Sequence, residues 1–86
     1  MVVYCRKNRF TYNRIGFTVG TKVGGAVVRN RVRRRLREIC RLRCGQLRQG
    51  YDVIIVARVR AAETSYHDLE RAFLRLAGKL SLLEEP

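Results

Sequence analysis

The feature that most constrains the fold is a change of hydrophobic period at Gly24-Gly25. Before this pair, apolar residues alternate with polar ones, as they do on a β-strand with one buried face. After it, apolar residues recur at helical spacing and form one stripe of an amphipathic helix. That stripe consists of Val28, Val32, Leu36, Ile39 and Cys40. The chain is therefore expected to combine strands and helices around a shared core.

Three segments of the sequence are typical of β-strands. Residues 1–6 and 14–20 both alternate, and the short polar segment 7–13 between them predicts the turn of a hairpin. Residues 51–57 form a continuous apolar run, which is typical of a central strand covered on both faces. The side chains expected to face the core from the first two strands are Val3, Cys5, Ile15, Phe17 and Val19.

A second helix is predicted near the end of the sequence. Thr64-Ser65 followed by Asp68 is a capping signature. The apolar stripe that follows consists of Leu69, Phe73, Leu76, Leu80 and Leu83. The first helix is expected to end near Gly45, because glycine favours helix C-termini. The order β-β-α-β-α indicates an α+β fold with helices packed on a small sheet, and residues 1–86 are expected to form one domain.

The charge of the chain is strongly positive and unevenly distributed. Lys and Arg number 19 against 7 Asp and Glu, which gives a net charge of +12. Residues 1–50 hold 14 of the basic residues and one acid, Glu38. Such a surface attracts polyanions, either nucleic acid or an anionic membrane. Arginine outnumbers lysine by 16 to 3, and its planar fork of donors matches phosphate oxygens.

The arginines of the first helix lie opposite its apolar stripe. Arg29, Arg33, Arg37 and Arg41 are spaced four apart, so they form one row that an anionic backbone could follow. Holding these like charges together costs energy unless an anion relieves the repulsion. Tyr4 alternates out of phase with the core residues of its strand, which makes it a candidate for stacking on a base. The sequence therefore favours nucleic acid over a ligand-less basic face.

Several other classes of protein are not favoured. No stretch approaches the ~20 apolar residues of a membrane span. Residues 1–10 lack an apolar core of signal-peptide length, so a cytoplasmic protein without a membrane partner is expected. Three cysteines without a CxxC motif predict neither a disulfide framework nor a zinc site. His67 is the only histidine, and the basic half has one carboxylate, so neither catalytic residues nor metal ligands are assigned to this chain.

One stretch carries a resemblance to a known family. Residues 22–31 read Lys-x-Gly-x-Ala-Val-x-Arg-Asn-Arg, followed by the basic helix and by Asp52-Val-Ile-Ile-Val-Ala-Arg58. In this combination the chain resembles the bacterial ribonuclease P protein component from Met1 to about Leu83. The resemblance implies the ribonuclease P protein fold, which is shared with a domain of a ribosomal protein and includes a left-handed β-α-β crossover. That handedness is rare in proteins.

The resemblance also implies a function. Members of this family bind a large catalytic RNA and the 5′ leader of precursor tRNA, and they assist the Mg²⁺-dependent endonucleolytic removal of that leader. The chain would thus be a subunit of an endoribonuclease holoenzyme whose RNA holds the Mg²⁺ ions and the catalytic centre. No obligate protein partner is implied.

The same resemblance assigns site residues by position in the motif. Three residues at the start of the first helix would face the catalytic RNA: Arg29, Asn30 and Arg31. Six others would line or border the cleft for the single-stranded leader: Val2, Tyr4, Lys22, Arg33, Arg34 and Arg37.

The sequence departs from the family pattern at its start. Family members normally have a basic segment and a helix before the first strand, whereas Met1 already stands at that strand here. We therefore expect either a truncated or misannotated start or a compact variant without the helix, with one sheet face uncovered, lower stability and weaker leader contacts.

Other functions remain as alternatives. Another structured-RNA-binding protein, such as a ribosomal protein, would have the same composition, and only the motif of residues 22–38 argues against it. A DNA-binding helix-turn-helix requires a short helix just before the basic one, where strands are predicted instead. A membrane-surface helix requires aromatic or bulky residues at its polar boundary, and the stretch from Val28 to Cys40 has none there. A stand-alone nuclease requires metal ligands that the chain lacks.

Overall fold

Three strands form a single sheet in the computed structural model, which describes residues 1–82. The strands are β1 (Val2–Lys7), β2 (Arg14–Val19) and β3 (Tyr51–Ala57). Two helices accompany them, α1 (Ala26–Arg43) and α2 (Tyr66–Lys79). Short 3-10 turns lie at Thr21–Val23, Cys44–Gln46 and Val59–Ala62. The α+β class and the element order are therefore confirmed.

The predicted hairpin is wrong, because β1 and β2 are not neighbours. Strand β3 lies between them, antiparallel to β1 and parallel to β2. Its apolar run suits the central position, where both edges of the strand are hydrogen-bonded. Residues 8–13 consequently connect one edge strand to the other. Helix α1 makes the long crossover that the parallel pair β2 and β3 requires.

The two faces of the sheet differ in their cover. On one face Val53 and Ile55 of β3 are buried beneath α1 and α2. On the other face, no element among residues 1–82 covers the sheet, and 48% of Ile54 is exposed. Strand β3 is central, as predicted, but its expected burial on both faces is wrong. Each helix has only one apolar stripe, and both stripes pack on the same side.

The core confirms most of the predicted stripes. Val32, Leu36, Ile39 and Cys40 of α1 are buried, and so are Leu69 and Phe73 of α2. Cys5, Ile15 and Phe17 are half-buried against this core.

The predicted helix ends are confirmed except at the C-terminus of α2. Helix α1 ends at Arg43, just before Gly45, as predicted. Leu80 is 40% exposed, because α2 ends at Lys79 and Leu80 is only its C-cap. Leu83 lies outside the described residues. At the start of α2 the Ser65 hydroxyl accepts a hydrogen bond from the Asp68 amide at 3.2 Å, which confirms the cap.

Candidate nucleic-acid interface

Gly24 allows the turn before α1 to pack closely against the first turns of the helix. A Cβ atom at Gly24 would lie 2.9 Å from the Cβ atom of Val28, so a larger residue would push the preceding turn away from the helix. The first turn of α1 contains no acidic residue. Its backbone N–H groups carry the positive end of the helix dipole, which adds to the charge of Arg29. This end of α1 is therefore suited to an anion.

Two arginines of α1 bind the backbone of the segment before α2. Arg31 Nη2 donates to the Ala62 carbonyl at 3.0 Å, and Arg35 Nη1 donates to the Thr64 carbonyl at 3.3 Å. These bonds fix the helix against residues 59–65. The Nε atom of Arg31 is buried without a hydrogen-bond partner in the described structure.

Two further arginines of α1 are paired with glutamates. The guanidinium of Arg41 binds the carboxylate of Glu38 within the helix and lowers the pKa of that carboxyl. Arg43 Nε lies 3.2 Å from Glu70 Oε2 and so joins α1 to α2. The hydrogen bond from Arg43 to Glu70 raises the pKa of Arg43. We call these four residues the held arginines: Arg31, Arg35, Arg41 and Arg43.

Within residues 1–82, the other four arginines of α1 form neither a salt bridge nor a side-chain hydrogen bond to a backbone carbonyl. We call them the unpaired arginines: Arg29, Arg33, Arg34 and Arg37. Arg34 and Arg37 are exposed, while Arg33 Nη1 donates to the neutral Asn30 Oδ1 at 3.0 Å. Arg29 is half-buried, and its Nε atom has no partner in the described structure. All four are residues that the sequence analysis assigned to RNA.

The uncovered sheet face brings the predicted residues Val2 and Tyr4 together. Tyr4 is 57% exposed and lies opposite Ile54, which in turn lies opposite Gly16. Val2 lies in the next row, opposite Val56. A groove of about 360 Å³ runs along Tyr4 and Ile54. Sequence reasoning missed Ile54, because a continuous apolar run hides which alternate residues face outward.

A third row crosses the same face and contains Arg6, Asp52 and Arg14. Arg14 binds both carboxylate oxygens of Asp52, at 2.8 Å through Nε and 2.7 Å through Nη2. The hydrogen bond from Arg14, followed by one from Asn8, lowers the pKa of Asp52 to about 2. Arg6 faces the same carboxylate without a salt bridge to any residue in the described part of the chain.

Lys22 is the predicted site residue between the two surfaces. It is exposed in the 3-10 turn that follows β2 and precedes α1, which packs against β2. The structure thus places Val2 and Tyr4 on the sheet, the arginines and Asn30 on α1, and Lys22 on the connection.

Residues 1–82 contain neither a metal-binding cluster nor a membrane-spanning helix. No cluster of three or more His, Cys, Asp or Glu side chains is placed to bind a metal ion. Neither helix has the length and apolarity needed to cross a bilayer.

Comparison with known proteins gives one consistent result. A family model described as Ribonuclease P matches residues 1–81. A ribonuclease P protein component from Natranaerobius thermophilus is 48% identical over 85 residues, covering 99% of this chain and 74% of the relative. The RNase P protein of Thermotoga maritima has a TM-score of 0.82 and 31% identity, over 90% of this chain and 74% of that one. The Staphylococcus aureus RNase P protein shares the fold at a TM-score of 0.85 and 24% identity, over 95% of this chain and 75% of that one.

Proposed function

Since the chain belongs to the ribonuclease P protein family, we propose that it binds the catalytic RNA and the 5′ leader of precursor tRNA. In this proposal it acts in the cytoplasm and assists the Mg²⁺-dependent endonucleolytic removal of the leader. Family membership makes the chain a ribonuclease P protein subunit with a role in tRNA processing. The RNA contacts and the reaction are the proposed part.

The observation that supports RNA binding most strongly is the group of unpaired arginines on one helix. Like charges at helical spacing repel one another, and no carboxylate among residues 1–82 compensates Arg33, Arg34 or Arg37. Phosphate groups supply the missing compensation, and their binding releases counterions. The exposed Tyr4 and Ile54 add an apolar surface for unpaired bases.

Two parts of this surface suit two RNA partners. Arg29, Asn30 and Arg31 would contact the catalytic RNA from the start of α1, whose first turn holds no acidic residue. The leader would lie on the open sheet face, bordered by α1 and its preceding turn. The residues for this contact are Val2, Tyr4, Lys22, Arg33, Arg34 and Arg37.

The Mg²⁺ ions of the reaction would be held mainly by the RNA. The carboxylates of Glu38, Asp52 and Glu70 are each bound by an arginine, as is that of Asp68 by Arg71. A hard cation requires several oxygen ligands, and these four carboxylates would have to exchange their arginine partners to provide them. Glu63 has no arginine partner, but no three possible metal-binding side chains cluster among residues 1–82. The chain's own residues are therefore assigned to binding and positioning.

The proposal is tested by cleavage of precursor tRNA by a bacterial ribonuclease P RNA at low Mg²⁺, with and without this chain. We expect stimulation that disappears when the leader is shortened, because the chain would then lose one of its two contacts. Tight RNA binding without stimulation of either substrate would contradict the proposal and favour another structured-RNA-binding protein, such as a ribosomal protein.

The division of the surface has its own test. Replacing Arg29 and Arg31 by alanine should weaken binding to the catalytic RNA more than binding to a leader oligonucleotide. Replacing Tyr4 and Arg37 by alanine should do the reverse. Equal losses from both pairs would show that the two contacts are not separate.

A further inference from the structure

The segment between β1 and β2 holds two aromatic rings outside the core. Phe10 and Tyr12 stack with ring centroids 5.1 Å apart and an interplanar angle of 25°. They are 42% and 54% exposed, and neither packs against the core cluster. The guanidinium of Arg14 lies 4.8 Å from the centroid of Phe10. The pair therefore presents a π surface to solvent instead of supporting the fold from within.

This arrangement is built by Asn8. Its Oδ1 accepts a hydrogen bond from the Phe10 amide at 2.8 Å, and its Nδ2 donates to the Tyr12 carbonyl at 3.2 Å. The same Nδ2 donates to Asp52 Oδ1 at 3.0 Å. The Asn8 amide donates to the Gly50 carbonyl at 2.8 Å, which ties the segment to the chain before β3. The backbone of the segment is thus ordered before any ligand arrives, which lowers the entropic cost of binding.

Gly50 allows the segment to approach this closely. Its φ of +93° favours glycine, and a Cβ atom there would lie 3.2 Å from the Phe10 carbonyl oxygen. The position of Phe10 therefore depends on a backbone conformation that other residues rarely adopt.

The surroundings of the rings are cationic. A groove of about 480 Å³ beside Phe10 is lined by four basic residues, Arg6, Lys7, Arg9 and Arg14. Its one acidic residue, Asp52, is already bound by Arg14 and Asn8. Within residues 1–82, Arg6, Lys7 and Arg9 form no salt bridge, so the groove keeps a net positive charge. An anionic ligand with a flat aromatic group matches both the rings and the charge.

We propose that Phe10 and Tyr12 form a second stacking site for single-stranded RNA, continuous with the open sheet face. The inference rests on the proposed RNA-binding function and extends it by one subsite. Arg6, Asp52 and Arg14 form the row next to Tyr4 and Ile54 on that face, and they also line the groove beside Phe10. A strand that stacks on Tyr4 therefore continues across this row and places a later base on Phe10 and Tyr12. The basic groove binds its phosphates.

Crosslinking locates the site, because trypsin separates the two stacking surfaces. Cleavage after Arg9 and Arg14 releases residues 10–14 as one peptide, whereas Tyr4 leaves on residues 1–6. After ultraviolet irradiation with a long oligouridylate, we expect crosslinked uridine on both peptides. Crosslinks on residues 1–6 alone would overturn the second site and leave RNA binding intact.

Affinity gives an independent test by fluorescence anisotropy. The double variant Phe10→Leu with Tyr12→Leu keeps apolar bulk but removes both rings, and Tyr12→Phe is the matched control that keeps them. We expect the double variant to bind a long oligouridylate about 5- to 150-fold more weakly, the range for loss of base stacking, with Tyr12→Phe unchanged. Equal affinity of all three proteins, with unchanged melting temperatures, would overturn the inference. Failure of the unaltered protein to bind any RNA would overturn the proposed function as well.

Discussion

Helix α1 carries eight arginines, and the held and the unpaired groups differ in what surrounds them. The held arginines reach backbone carbonyls before α2 or a glutamate, so their charge or their hydrogen bonds are used within the protein. Among residues 1–82, the unpaired arginines have neither a carboxylate nor a backbone carbonyl as a partner, and Arg33 binds only the neutral Asn30 side chain. Arginines of the same helix thus either stabilise the protein through internal contacts or remain available to bind an anion. Arg31 is a held arginine whose Nη2 is bound, although its Nε is buried without a hydrogen-bond partner in the described structure.

The largest expected effect concerns the unpaired group. Replacing Arg34 and Arg37 by alanine should weaken binding to the catalytic RNA with its precursor about 100-fold, because two charge-assisted hydrogen bonds of ~1.5 kcal/mol each are lost. The melting temperature should not change, since both side chains are exposed. The matched control replaces Arg71 and Arg75 on α2, which removes the same charge from another surface. Equal losses in both double variants would mean that only total charge matters.

A smaller effect is expected in the held group. Arg35→Ala removes the hydrogen bond to the Thr64 carbonyl and should lower the free energy of unfolding by about 1 kcal/mol. For a domain of this size that corresponds to a melting temperature lower by about 4–8 °C. Arg35→Lys keeps the charge and should lose part of the same stability. If Arg35→Ala instead lost as much RNA affinity as the Arg34 and Arg37 variant and kept its stability, the held and the unpaired arginines would not differ in role.

A gain of binding should follow from removing the one acid of α1. Glu38→Gln ends the pairing with Arg41 and removes a negative charge beside the unpaired arginines. RNA affinity should rise about two- to fivefold, the scale of an exposed ion pair. Isothermal titration with the catalytic RNA measures this change. Weaker binding of the glutamine variant would show that Glu38 positions Arg41 for RNA.

The last effect concerns the pH dependence of stability. The pKa of Asp52 is about 2 against an ordinary value of 3.8, so its pairing with Arg14 stabilises the fold above about pH 4, and this contribution is lost as the pH falls towards 2. Asp52→Asn lacks the contribution at every pH. The urea midpoints of the two proteins should therefore differ near neutral pH and converge near pH 2. A constant difference would show that the pair does not link folding to protonation.

The sequence predicted local features well because they depend on neighbours along the chain. The stripe from Val28 to Cys40, the cap at Ser65 and the outward position of Tyr4 all follow from spacing. The division of the arginines could not be predicted, because it depends on partners distant in sequence. Arg43 pairs with Glu70, and Arg31 reaches Ala62, only after α1 and α2 have packed together.

Strand order and the β1–β2 segment were missed for a related reason. Alternation shows which residues of a strand share a face, but it does not show which strand becomes the neighbour. Spacing predicts a polar turn over residues 7–13, although Phe10 and Tyr12 alternate between two asparagines. Asn8 and Asn13 bond to residues before and within β3, and those contacts are visible only once β3 lies between β1 and β2.

The most direct test of the account is the salt dependence of RNA binding for the unaltered protein and the two charge-matched double variants. Each phosphate contact contributes about one unit to the slope of log K against log salt. We expect the Arg34 and Arg37 variant to have a slope smaller by about two, and the Arg71 and Arg75 variant to keep the original slope. Identical slopes in both variants, or a flat plot for the unaltered protein, would contradict the assignment of the unpaired arginines to RNA.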